Sequence, residues 1–253
     1  MSDIIVTNNN NVTRITINRP DKKNSLTREM YDAMGDAIDA VADNDIKVVV
    51  IEGAGDCFTA GNNIADFASV GDAEHVNETA HFMNALMRCE VPVVAKVRGI
   101  AVGIGTTLLL HCDFVYCDDS ARFIMPFIDL GLVPEYASSY ILPRLAGHRK
   151  AAEWLMLGKP FNGEEAERFG IVTAQFDAEQ LDDMVEKVIT ALCAKPRMAL
   201  RTTKRLMKTD HQSVEEHMNE ELDYFIDAMR SEPAQEAFDA FLNKRPINPE
   251  KFN

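Results

Sequence analysis

The sequence predicts an α/β protein with a helical C-terminal region. Three observations carry that prediction. Strand-like and helix-like patterns alternate over roughly the first 145 residues, the strand-like runs are continuously apolar, and the remainder is almost entirely helical in pattern. Residues 3–18, DIIVTNNNNVTRITIN, read as two short strands joined by an asparagine turn. Leu26, Met30, Met34, Ile38 and Val41 recur at helical spacing, with Ser25 as the candidate N-cap. KVVVIEG (47–53) and VPVVAKVRG (91–99) are bounded apolar runs of the kind buried on both faces of a parallel sheet. A helix fits residues 73–89, and a short one follows the next glycine turn through His111. DFVYC (113–117) and RFIMP (122–126) read as strands. HRKAAEWLMLGK, FNGEEAERFG and residues 178–244 are helical, with one short strand near IVTAQF. The expected organisation is an α/β core over residues 1–195 and a helical region over 196–253.

A chain of 253 residues, 46% hydrophobic and 26% charged, suits one large domain. Its net charge of −14 argues against nucleic acid, which needs a basic footprint, and against an anionic membrane surface. The five cysteines (Cys57, Cys89, Cys112, Cys117, Cys193) are odd in number and lack metal-ligand spacing, so buried reduced thiols are expected rather than zinc. MSDIIVTNNN has neither the basic nor the apolar region of a signal peptide. The longest apolar run, residues 99–112, is too short and glycine-rich to span a bilayer. A cytoplasmic protein is expected.

Two segments place backbone amides where a strand hands over to a helix: CFTAGNNIADF (57–67) and RGIAVGIGTTLLL (98–110). Glycine lets the backbone approach a ligand, and free N–H groups at a helix start favour negative charge. Two such turns on adjacent parallel strands would aim their amides into one crevice, a geometry suited to an oxyanion on a carbonyl. The alternative is that the glycines only allow tight packing. A dinucleotide or Walker-type phosphate loop does not fit, because the glycine order is wrong and no Gly-Lys-Ser/Thr occurs.

NRPDKKNSL, VVVIEGAGDCFTAGNNI, VPVVAKVRGIAVGIGTTLLLHCDFVY and LPRLAG together resemble the crotonase superfamily, the enoyl-CoA hydratases and isomerases, over nearly the whole chain. The resemblance implies a spiral of ββα units with a C-terminal helical trimerisation region, assembled as a trimer or dimer of trimers. It implies an acyl-CoA thioester substrate and an enolate held by two backbone amides, those of Asn62 and Ile104, or of Gly103 if the register slips by one. It further implies contacts to the adenine of a bent coenzyme A from the backbone near Ala60 and Ile64, and to its phosphates from Lys22 or Lys23 and Lys244. Coenzyme A is then part of the substrate, and no separate cofactor or metal is expected.

The glutamates select the chemistry within that resemblance. Hydratases of the superfamily use two, at positions that here hold Thr107 and Phe127. What remains is Glu135, eight residues beyond Phe127, in PEYASS, which is similar to the PE-x-x-S-S of the delta-3 to delta-2 enoyl-CoA isomerase branch. Moving a double bond needs only one base, and a lone carboxylate among Ile124, Phe127, Leu130 and Leu132 would gain base strength from burial. The alternative for Glu135 is a loop charge ahead of the helix at 137–142. His111 and His148 are each lone histidines and read as structural. Asp113 reads as a local cap or ion-pair partner, and Asp129 as a turn cap. The expected activity is enoyl-CoA isomerisation. A hydratase or other crotonase-type reaction, or a non-catalytic acyl-CoA binder, is the alternative.

Overall fold

From the fourth strand to the seventh, successive strands of this chain alternate between two sheets, the repeat of a spiral of ββα units. The computed structural model describes residues 2–42, 44–63, 77–208, 232–233, 236, 240 and 243–252. β1 (Ile4–Asn9) and β2 (Val12–Ile17) form an antiparallel hairpin turned by Asn10 and Asn11, both at positive φ. β3 (Val48–Gly53), β4 (Val93–Val97), β6 (Phe114–Asp118) and β9 (Ala174–Phe176) extend it in parallel, in the order β1-β2-β3-β4-β6-β9. The second sheet takes the intervening strands, β5 (Ile100–Val102), β7 (Arg122–Ile124) and β8 (Phe161–Asn162). Consecutive pairs β4/β5 and β6/β7 therefore give one strand to each sheet.

The uninterrupted VVVI of β3 is explained by burial on both faces. Val49 and Ile51 point into the main core with Phe58, Phe82 and Leu86, while Val48 and Val50 face Leu181, Val185 and Ile189 of α7 (Leu181–Cys193). α1 (Arg28–Asp39) and α2 (Asn77–Arg88) cover the main face and pack on each other. At their contact the His81 ring lies over Gly35, hydrogen-bonded to Asp39 and Asp32, and these carboxylates raise its pKa. The N-cap of α1 is Thr27 rather than Ser25. Ser25 is occupied otherwise, accepting hydrogen bonds from Arg19 Nη1 on its carbonyl and hydroxyl oxygens.

The remaining helices are α3 (Ile104–Thr107), continued by a 3-10 turn at Leu108–His111, then α4 (Ser138–Ala146), α5 (His148–Met156), α6 (Gly163–Arg168) and α8 (Arg197–Lys208). α8 folds back onto the core. Its buried Lys204 donates to Val91 O at 2.7 Å and pairs with Asp113 at 2.6 Å, and Arg197 donates to the carbonyls of Asn44 and Ile46. Asp113 also accepts from Val93 N at 2.8 Å, so its partners come from β4 and α8 rather than from its own neighbourhood in the chain. All five cysteines are free thiols. Among the described residues no helix is long and apolar enough to cross a membrane.

Candidate active site

Because β3 and β4 run parallel side by side, the turns that follow them leave the sheet at the same, carboxyl end. The turns are then joined to each other. Thr59 N donates to Ile100 O at 3.0 Å, and Val102 N donates to Thr59 O at 3.1 Å. Gly61, at φ 80°, lies so close to the second turn that a Cβ would sit 2.4 Å from Val102 O. At Gly105 a Cβ would sit 2.5 Å from Thr59 Cγ2. These glycines are needed for packing, and that packing brings the two turns into one crevice.

Within it, the amides of Asn62 and Ile104 donate no hydrogen bond to any described residue. Ile104 opens α3, where the first amides have no intrahelical acceptor. Its side chain is buried in the main core. The Asn62 side chain is likewise taken up, its Oδ1 accepting from the Tyr31 hydroxyl. Gly103 is excluded as the alternative donor, since its N–H already donates to Ile124 O at 2.8 Å.

Glu135 stands across from these turns on a strained backbone. The two residues after it, Tyr136 (φ 52°) and Ala137 (φ 56°), are both left-handed, at a cost of about 1 kcal/mol or more each. Surrounding bonds hold the turn. Ser138 N and Oγ donate to Glu135 O at 3.0 and 2.7 Å, the Tyr136 hydroxyl donates to Met83 O at 2.7 Å, and His111 Nε2 donates to Tyr136 O at 2.9 Å. The His111 and Tyr136 rings also stack, centroids 3.8 Å apart. His111 is thus structural, as its isolation in the sequence implies, and burial lowers its pKa.

The carboxylate itself is buried. Oε1 accepts from the Thr107 hydroxyl, and Oε2 is buried without a hydrogen-bond partner among the described residues. Burial pushes the Glu135 pKa up to about 7, against the smaller lowering effect of the Thr107 bond. Its negative charge in turn raises the pKa of Tyr31 and Tyr136, after their own burial. A carboxyl about half ionised near neutrality, with one free oxygen in an apolar setting, is equipped to take a proton from carbon and return it.

The other candidate residues divide into two groups. Phe127 is buried beside Gly103, 3.9 Å from where a Cβ would be. Lys22 and Ala60 are brought together, because Ala60 N donates to Lys23 O, Leu26 N to Gly61 O and Asn63 N to Leu26 O. This places the exposed Lys22 at the rim of the first turn. Lys244 lies in an exposed turn at the other end of the chain, and no described hydrogen bond or ion pair ties it to the site. Ile64 lies outside the described residues. Leu130 and Leu132 are not pocket walls: they are 57% and 50% exposed, because the 3-10 turn at Ile128–Leu130 and left-handed Gly131 turn them outward. Asp129 takes a turn position facing Gly158, whose added Cβ would lie 2.7 Å from Oδ2.

Sequence reasoning missed Tyr31 beside Asn62 and Tyr136 and Ser138 beside Glu135, and read Thr107 only as the residue in place of a hydratase glutamate. A tyrosine on the apolar face of an amphipathic helix and a threonine pair before LLL were the available signals.

Comparison with known proteins identifies the family. The enoyl-CoA hydratase/isomerase family profile covers residues 7–251. Enoyl-CoA delta isomerase 2 of Rattus norvegicus is 36% identical over 250 residues, 96% of this chain but 64% of that protein, so this chain spans less than two thirds of that relative. Crotonyl-CoA hydratase of Syntrophomonas wolfei is 30% identical over 252 residues, 97% of each chain. A solved structure from Magnetospirillum magneticum AMB-1, provisionally described as an enoyl-CoA hydratase/carnithine racemase, superposes with a TM-score of 0.94 at 41% identity, covering 98% of this chain and 99% of that one. With the profile spanning nearly its whole length and relatives above 30% identity, the chain belongs to the enoyl-CoA hydratase/isomerase family.

Proposed function

We propose that this protein is an acyl-CoA double-bond isomerase with Glu135 as its only base. The observation that carries this reading is the Glu135 carboxylate, buried, at a pKa of about 7, with Oε2 unpartnered among the described residues, and the resemblance puts Thr107 and Phe127 where hydratases carry their two acids. In a 3-enoyl thioester, Oε2 takes a proton from C2. The electron pair spreads onto the thioester oxygen, where the amides of Asn62 and Ile104 stabilise it as an oxyanion. The same carboxyl returns the proton to C4, so C3=C4 becomes the conjugated C2=C3 with no net gain or loss of atoms. Phe127, Gly103 and Ile104 form the floor under the acyl chain. Lys22 and Lys244 meet coenzyme A phosphates, and the backbone from Ala60 through Ile64 meets its adenine. Coenzyme A arrives with the substrate, and no further cofactor is required. Assembly as a trimer or dimer of trimers in the cytoplasm completes the reading.

The hydratase name of the S. wolfei relative favours water addition as the second reading. Water addition needs a group to activate water as well as one to handle the α-proton. Among the described residues Thr107 and Phe127 supply neither.

The pH dependence of kcat/KM with trans-3-hexenoyl-CoA tests the proposal. The base works ionised, so the rate is expected to hold above about pH 7 and to fall close to tenfold per pH unit below it. Conjugated product formed at a rate flat down to pH 5 would remove Glu135 from the role.

A further inference from the structure

We propose that Thr107 is a positioning residue that restricts Glu135 to one working oxygen, and thereby fixes this site for double-bond migration over hydration. The inference rests on Glu135 being the base. Thr107 is fully buried, and its amide donates to Gly103 O at 3.0 Å, so it belongs to the same rigid turn as the Ile104 amide. Its hydroxyl is given to Glu135 Oε1, leaving Oε2 alone and unpartnered among the described residues. One turn further, His111 holds the carbonyl of Tyr136. The segment 104–111 thus carries the candidate oxyanion donor, the bond to the base's side chain and a bond to the backbone of Tyr136, the residue after the base. Oxyanion and base are set relative to each other by one short stretch of chain.

That arrangement has a chemical consequence. With Oε1 held by Thr107, Oε2 is the oxygen left to take the C2 proton and to return it at C4. A water molecule at this place would meet a hydroxyl whose proton is already engaged and which is too weak a base to activate it. A carboxylate at position 107 would instead repel Glu135 and offer water a base.

Thr107→Val removes the hydroxyl at nearly constant shape, Thr107→Ser keeps it, and Thr107→Ala is a second deletion should valine overpack the site. Two readouts are needed. Difference infrared titration of the carboxyl band, with Glu135→Gln as the blank, follows Glu135 without substrate. Its midpoint is expected to rise above the wild-type value in the valine and alanine variants and to return in serine, because the lowering hydrogen bond is lost and regained. With trans-3-hexenoyl-CoA, kcat is expected to fall about 10- to 100-fold in valine and alanine, with KM changed far less and serine close to wild type. An unchanged midpoint and kcat in both deletion variants overturns the proposal while leaving the isomerase reading intact. A midpoint that moves in a protein whose wild type forms no conjugated product supports the positioning and overturns the isomerase reading.

Discussion

Glu135→Gln is expected to lower kcat for double-bond migration by roughly 10²- to 10⁴-fold, the usual contribution of one general base. Glutamine keeps the size of the side chain and still accepts the Thr107 hydrogen bond through its carbonyl oxygen, so the turn at Tyr136 and Ala137 has no new cause to relax. It cannot take a proton from carbon. Substrate binding is expected to survive, because the thioester oxygen and coenzyme A are held elsewhere. Steady-state kinetics together with acyl-CoA binding separate the two effects: retained binding with lost turnover fits a base, and retained turnover contradicts it.

The second large effect concerns stability. Lys204 is 5% exposed and pairs at 2.6 Å with Asp113, while Asp113 also receives the amide of Val93. Lys204→Met strips the cation from a carboxylate that is only 14% exposed and stays tied to β4. Breaking a buried pair in this way costs about 3–5 kcal/mol. The Asp113→Asn/Lys204→Met double variant is expected to lose less than the single one, because no uncompensated charge remains. Urea unfolding of the three proteins measures this directly. A single variant as stable as wild type would show that α8 is held to the core by other contacts.

Much of the fold was readable because the strands are buried on both faces. Val48 to Ile51 need no alternation when α7 covers one side and α1 with α2 the other, so the run reads as a parallel strand. The second sheet was less legible. Its strands are two or three residues long, and their partners are set by the spiral rather than by local pattern. At the site, Glu135 was legible through the resemblance carried by PEYASS, whereas its surroundings alone read as a loop charge. The Thr107 bond was not, since it joins residues 28 apart in sequence. Leu130 and Leu132 misled because hydrophobicity alone does not say which way a 3-10 turn faces. Ser25 misled for a similar reason: Arg19 claims its oxygens, and helix α1 starts after Thr27.

The most direct measurement offers the purified protein trans-3-hexenoyl-CoA and crotonyl-CoA in parallel. Absorbance of the conjugated 2-enoyl thioester is followed in both, rising with isomerisation and falling with hydration. A site with one base at Glu135 predicts a rapid rise with hexenoyl-CoA and little or no loss with crotonyl-CoA. Rapid loss of crotonyl-CoA absorbance, with no conjugated product from hexenoyl-CoA, would contradict the single-base account.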